Sequence, residues 1–336
     1  MKAIVYREYG GPEVLRYEEV EKPVPKDDEV LIKVHAASVN PIDWRLMSGK
    51  PAPLRLAMGL RKPRSGRPGV DVAGQVETFG KNVTQFKPGD AVFGSCNGAF
   101  AEYACAAESK IAIKPENVTF EDAASVNVAG LTALQGLRDK GKVHAGSKVL
   151  INGASGGVGT FAIQIGKHLG AHVTGVCSTR NVDMVRSLGA DEVIDYTRDD
   201  FTRGDQRYDV ILDCVGNHSF SEYRRILNPE GRSVGVGAPH EFSMIALLAS
   251  IIRDVALSAS GKQKSVMFIA KGSQSDLALI GELIATGKVK PVIEKIYPLS
   301  EAAEAVRHVE AGHARGKVLI RRQEQEAGAG PPLPYK

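Results

Sequence analysis

The residues with the clearest chemical purpose form a glycine-dense turn. An apolar run from Lys148 to Asn152 enters Gly153-Ala154-Ser155-Gly156-Gly157-Val158-Gly159, and a helical pattern follows from Val158 to Leu169. Missing side chains allow a tight turn and let backbone amides approach a pyrophosphate. The positive end of the helix that follows favours the same anion. The expected ligand is a dinucleotide.

The end of the next predicted strand selects among dinucleotides. An acid there would accept hydrogen bonds from ribose hydroxyls. This chain instead runs Gly175-Val176-Cys177-Ser178-Thr179-Arg180. Ser178 can donate to a 2′-phosphate and Arg180 can pair with it through its planar fork. NADPH is therefore expected over NADH. Two further strand ends face the same side. Asp213-Cys214-Val215-Gly216 ends one, with Cys214 read as a lining residue and not a nucleophile. Val234-Gly235-Val236-Gly237 ends the other, leaving room beside the nicotinamide half.

These residues need a parallel sheet to position them. Strands are expected at Lys148–Asn152, His172–Val176, Glu192–Ile194, Asp209–Asp213, Arg232–Val236 and Val266–Ala270. Helices are expected between them, notably Val158–Leu169, Val182–Leu188 and Ser219–Leu227. Repeated βα units of this kind build a Rossmann sheet with helices on both faces. Before it, Glu29–His35, Val70–Glu77, Ala91–Phe93 and Ala99–Cys105 read as strands of a mostly β domain, and Glu121–Lys140 has helical spacing. After it, Ser275–Thr286 reads as a helix, Lys288–Ile293 and Gly316–Ile320 as strands, and Ser300–Glu310 as an amphipathic helix with Ser300 as N-cap. The residues give an α/β fold class: a mostly β domain first, then a Rossmann dinucleotide-binding domain, then a mixed stretch after Thr286. The tail 323–336, polar and then rich in Gly and Pro, is expected to be disordered.

Bulk properties narrow the function classes. The chain has 336 residues and a formal charge of +4, which does not favour nucleic acid as a partner. The first residues lack an apolar signal-peptide core, and the most apolar stretch, Met244–Ile252, is far short of the roughly 20 residues of a membrane helix, so a cytoplasmic protein is expected. Cys96, Cys105, Cys177 and Cys214 include no C-x-x-C pair; four reduced thiols and no metal are expected. The segment 51–67 carries five Arg or Lys residues. It reads first as a solvated loop and second as a flap or a membrane-surface contact, and 244–264 raises the same question.

Together these motifs resemble the medium-chain dehydrogenase/reductase superfamily, in its zinc-free quinone oxidoreductase (ζ-crystallin-like) branch, over about residues 1–322. The most specific piece is Asn152 to Lys167. Ser38-Val39-Asn40-Pro41-Ile42-Asp43, Ala129–Ala133 and Gly312–Lys317 support it. The resemblance implies a Rossmann dinucleotide-binding domain (122–286) inserted in a mostly β GroES-like catalytic domain (1–121, completed by 287–322), with the active cleft at the junction of the two. In it Asn40 lines the nicotinamide and substrate site and Thr132 lies near the nicotinamide. Ser178, Arg180 and Tyr196 surround the 2′-phosphate. Phe268 and Ile269 belong to the strand whose backbone meets the carboxamide, and Gly316 and Lys317 to a loop touching the cofactor. It also implies a homodimer through edge strands near Val266–Ala270. The zinc enzymes of the superfamily carry a cysteine ligand near Pro41 and Gly-His-Glu where this chain has Gly69-Val70-Asp71. Proline and valine offer no lone pair suited to a metal.

The expected reaction is hydride transfer from NADPH to a quinone or α,β-unsaturated carbonyl acceptor, a small-molecule substrate, without metal. Asn40 is the candidate orienter, Thr132 a polar neighbour of the nicotinamide, and Asp43 a hydrogen-bonding partner or a turn residue fixing the Asn40 loop. His35 reads as structural. No general acid can be named from the sequence. Two other readings stay open: a carbonyl or enoyl reductase or alcohol dehydrogenase-like enzyme of the same superfamily, and a non-catalytic protein that binds NADPH in a structural or regulatory role.

Overall fold

The computed structural model describes residues 1–50, 55–56, 59–237, 253–254, 257–258 and 261–322. The expectations for Met244–Ile252 and for the tail 323–336 lie outside the described residues, as do parts of 51–67 and 244–264. Fifteen strands are described: β1 (Lys2–Val5), β2 (Arg16–Glu19), β3 (Glu29–Val39), β4 (Asp71–Phe79), β5 (Ala91–Ser95), β6 (Tyr103–Ala107), β7 (Ile111–Ile113), β8 (Lys148–Asn152), β9 (His172–Cys177), β10 (Glu192–Asp195), β11 (Tyr208–Asp213), β12 (Leu227–Gly235), β13 (Lys264–Met267), β14 (Ile293–Pro298) and β15 (Lys317–Arg321).

They form two main sheets. A parallel sheet runs β10-β9-β8-β11-β12-β13, and a sheet of seven strands runs β14-β15-β3-β4-β5-β7, with β6 paired to β3. In the parallel sheet, β8 and its neighbours are buried on both faces, which is why Val149, Leu150 and Ile151 form an unbroken apolar run. Helices Gly157–His168 and Asn127–Gln135 share one core with this sheet. A separate core fills the second sheet, from Ile4 and Val30 to Ile320. The C-terminal strand β15 returns across the chain to pair antiparallel with β3, so Val318 faces Val39. That register sets Lys317 beside Asn40. On the other side of β3, Ser38 faces Asp71 of β4. Three residues from distant parts of the sequence thereby reach one end of one sheet.

Several expected elements form differently. Glu121–Lys140 is not one helix: Phe120–Ala124 ends where Ser125 Oγ donates to the carbonyl of Asp122 at 2.6 Å, and a second helix, Asn127–Gln135, passes into a π turn, Gly136–Gly141. A serine hydroxyl that captures a nearby carbonyl competes with helix continuation. Only Ile293 of Lys288–Ile293 belongs to a strand, because the side chain of Gln164 takes both backbone groups of Lys290, at 2.7 and 3.0 Å. Ser300 is not an N-cap: it lies inside a 3-10 turn, Leu299–Glu301, and Glu301 takes the N-cap position of helix Ala302–Glu310. Ala99 and Phe100 pair with the carbonyls of Gly69 and Pro68, so the strand expected at Ala99–Cys105 begins only at Tyr103. His35 lies in β3 and stacks on Phe120 at 4.2 Å.

Candidate active site

The glycine turn has the geometry its composition suggests. Gly153 adopts φ +83°, which L side chains avoid, and a Cβ on Gly159 would lie 2.2 Å from the carbonyl oxygen of Gly153. Gly156 is the N-cap of helix Gly157–His168. The amides of the first helical turn have no intrahelical partner and point out of the helix end. This cradle fits a pyrophosphate, since Gly156 and Gly157 place no side chain over the unpaired amides at the helix start. Gly316 docks on the same turn: its amide donates to Ser155 at 2.8 Å, and it bridges to Gly156. Val215 closes the other side, within 2.8 Å of where a Gly153 Cβ would be. Asn152, at the end of β8, donates to the carboxylate of Asp213 at 2.9 Å, and that carboxylate accepts the amides of Val215 and Gly216 at 3.0 Å. Burial pushes the Cys214 thiol up, which suits a lining residue and not a nucleophile.

Ser178 and Ser155 are tied together by Asn181, whose Nδ2 donates to Ser155 Oγ at 3.1 Å and to Ser178 Oγ at 3.2 Å. Arg180 is exposed and donates to the carbonyl of His313 at 2.8 Å, which links this corner to the loop leading to Lys317. Tyr196 is exposed beside it, its amide on Cys177 O. An acid does enter the corner, from the neighbouring strand. Asp195 lies opposite Cys177, accepts from Thr179 Oγ1 at 2.5 Å and from Thr197, and pairs with Arg198 at 3.5 Å. The threonine hydroxyls hold its carboxyl below the usual range.

The second half of the site is a buried polar floor. Asn40, just beyond β3, is the N-cap of helix Pro41–Ser48, and its amide donates to Asp43 Oδ2 at 2.8 Å. Its side chain points elsewhere. Nδ2 donates to Asp71 Oδ2 at 2.9 Å and to the Ser38 carbonyl at 3.2 Å, while Oδ1 accepts from Lys317 Nζ at 2.5 Å. Asp71 is fully buried and collects donors: Ser38 Oγ at 2.6 Å, Asn127 Nδ2 at 2.9 Å and the Val128 amide at 3.1 Å. Lys317 Nζ lies 3.5 Å from Asp71 Oδ2. Its stem runs under the glycine turn, where a Cβ on Gly157 would meet Lys317 Cδ at 3.1 Å.

Burial pushes the Asp43 carboxyl up to about 7, against the pull of the Asn40 amide, and its Oδ1 has no hydrogen-bond partner among the described residues. Burial lowers the Lys317 ammonium, opposed by Asp71 and Asp43.

The structure therefore gathers Asn40, Asp43 and Lys317 into one network, and Ala154, Ser155, Gly156, Gly157, Val158, Cys214, Val215 and Gly316 around one turn. Thr132 lies half-buried on the helix that begins at Asn127. Gly235 ends β12, with Met267 packed over it. Phe268 and Ile269 lie past the end of β13 and not in it, because β12, its one partner among the described residues, stops at Gly235. The Phe268 amide makes a long bond to the Gly235 carbonyl at 3.4 Å, and Ile269 is 88% exposed. Sequence reasoning did not assign roles to Asp71, Asn127 or Asn181. The one available signal was an acid set between Val70 and Val72 at the start of an apolar strand.

The donor set does not fit zinc. Pro41 and Val70 stand at the ligand positions of the zinc enzymes, and the oxygens of Asp71 are occupied by protein donors. No group of three His, Cys, Asp or Glu side chains suited to a metal occurs among the described residues.

Residues 26–116 match the alcohol dehydrogenase GroES-like domain, and residues 188–320 match the family described as zinc-binding dehydrogenase. The chain is 34% identical to a chloroplast envelope quinone oxidoreductase homolog of Arabidopsis thaliana, over 95% of this chain and 98% of that protein. It is 33% identical to an NADPH-dependent alkenal/one oxidoreductase of the same plant, over 95% and 79%. The structure superposes on a quinone oxidoreductase from Coxiella burnetii with a TM-score of 0.85 at 33% identity, covering 96% of this chain and 99% of that one.

Proposed function

The chain belongs to the quinone oxidoreductase-like branch of the medium-chain dehydrogenase/reductase superfamily, and from that premise we propose that it carries a hydride from NADPH to a quinone or an α,β-unsaturated carbonyl compound, with no metal taking part. It is an oxidoreductase. The observation that carries the reading is the meeting of two half-sites: the Gly153–Gly159 turn, and the floor of Asn40, Asp71 and Lys317, joined where Gly316 and Lys317 dock on the turn.

NADPH, when bound, supplies the hydride; the chain positions the partners and compensates charge. The first-turn amides from Gly157 hold the pyrophosphate. Ser178 and Arg180, with Tyr196 beside them, hold the 2′-phosphate. The Asp195 carboxylate is spoken for by Thr179, Thr197 and Arg198, so it does not repel that phosphate at full strength. Thr132, the end of β12 at Gly235 and the residue after β13, Phe268, would border the nicotinamide. Hydride arrival on a conjugated acceptor drives negative charge onto its carbonyl oxygen, so a cationic donor in the floor does work that zinc does in alcohol oxidation. The two main sheets support a division into 1–121 with 287–322 as the catalytic unit and 122–286 as the cofactor unit. The outer edge of β13, with Met267 54% exposed, supports pairing with a second copy there. Light scattering reads that as a doubled mass; a monomer mass overturns it.

The test is turnover. Chelator-treated protein is given NADPH with a panel of quinones and enones, and NADPH absorbance is followed. Consumption with at least one member is expected. Consumption with none overturns the activity, and consumption abolished by the chelator and restored by zinc overturns the metal-free chemistry.

A further inference from the structure

The floor of the site has a hydrogen-bond polarity that can be worked out atom by atom. The Asn40 carboxamide has two N–H donors, and both are taken, one by the Ser38 carbonyl at 3.2 Å and one by Asp71 at 2.9 Å. Its oxygen faces Lys317. Asn40 in this arrangement therefore has no proton to offer an acceptor. Lys317 has three N–H groups, accepts nothing, and commits one to Asn40, with Asp71 at 3.5 Å as the nearest carboxylate.

We propose that Asp71 is a positioning residue, which locks the Asn40 carboxamide with its oxygen toward Lys317 and keeps Lys317 charged, and that Lys317, not Asn40, is the hydrogen-bond donor to the acceptor's carbonyl oxygen. This rests on the hydride-transfer reading above.

Three features support it. Asp71 is anchored independently of the pair it controls, through Ser38 on β3 and through Asn127 and Val128 at the start of a helix from the other domain. A flipped Asn40 amide would set its oxygen against Asp71 and its N–H groups against an ammonium, so the carboxylate fixes one orientation. A buried ammonium also needs an anion to stay protonated. The groups facing Lys317 are Asp71 from β4 and Asp43 from helix Pro41–Ser48; Cys96, whose thiol burial and these two acids push up, lies beyond them. Asp43 is the weaker partner, since burial favours its neutral form.

The experiment compares wild-type protein with Asp71→Asn, which keeps shape and removes the charge. If the ammonium must be protonated to act, activity falls as pH rises through its pKa, and removing a neighbouring anion lowers that pKa. The alkaline limb of kcat against pH should move at least one pH unit acidward, with kcat at neutral pH down about 10–100-fold and KM for NADPH changed less than threefold. An unmoved limb overturns the proposal. The independent readout is 13C NMR titration of labelled lysine, with the Lys317 signal assigned from Lys317→Arg. The same acidward shift is expected without cofactor or acceptor, and an unchanged titration overturns the proposal. This second readout survives failure of the functional reading, because it needs no turnover. Should Asp71→Asn not fold, Lys317→Arg carries the kinetic test: a group that stays charged should abolish the alkaline limb, and a limb kept at its wild-type position overturns the assignment.

Discussion

The glycine turn and the polar floor solve opposite problems with opposite means. The turn is local. Seven consecutive residues make it, its work is done by backbone amides, and a side chain is excluded at Gly153 and Gly159. The floor is assembled from residues 38, 40, 43, 71, 127 and 317, its work is done by side chains, and every one of them is at least nine-tenths buried. The turn does not tolerate a Cβ at Gly153 or Gly159, whereas the floor tolerates nothing removed, because a lost partner strands a buried charge or amide. Binding is thus built from shape and the helix end, and the chemistry from a satisfied network.

The largest effect should come from adding one methyl to the turn. Gly159→Ala sets a Cβ on the Gly153 carbonyl oxygen, and the backbone must move. NADPH affinity, read by fluorescence titration, should fall at least about 100-fold, equivalent to about 3 kcal/mol. Near-wild-type affinity would break the contrast, by showing that the turn has slack.

Next is the corner that reads the 2′-phosphate. Arg180→Glu replaces a charge-assisted bond with repulsion, so NADPH should bind about 10–100-fold more weakly. NADH should change less than threefold. Equal losses for the two cofactors would remove Arg180 from phosphate recognition and leave it a loop tie to His313.

The smallest effect belongs to the floor's margin. Asp43 holds its proton more tightly in the folded protein than in the unfolded chain, with its carboxyl pushed up to about 7. Its favourable contribution is therefore complete below the ordinary carboxyl range and is lost as pH rises toward about 7. Asp43→Asn keeps an acceptor for the Asn40 amide and cannot ionise. Its melting temperature should fall less than that of wild type between pH 4 and 7, by about 2–4 °C. Parallel melting curves would mean that Asp43 is ionised throughout.

The same contrast explains what the sequence could reveal. The turn, β8 and helix Gly157–His168 are contiguous, so glycine spacing and apolar periodicity announce them together. The capping box at Ser219 is equally local, with Glu222 three residues on. The floor depends on β15 returning to β3 and on Ser38 facing Asp71, and register over more than 270 residues leaves no trace in a window of ten. Asn40 and Lys317 were legible only through family resemblance, and Asp71 only as an acid in an apolar strand. Asp195 was hidden for the same reason: it enters the phosphate corner from the adjacent strand, not from the one that carries Ser178. The loss of the strand at Lys288–Ile293 also has a distant cause, the Gln164 side chain.

The most direct test of the account follows the hydride itself. Chelator-treated protein is incubated with NADPH carrying deuterium at both C4 positions of the nicotinamide and with an α,β-unsaturated ketone that it turns over, and the product is analysed by mass spectrometry and NMR. The account predicts one deuterium at the β carbon, with the α-carbon hydrogen coming from water. Product without deuterium, or turnover that appears only after zinc is restored, would contradict it.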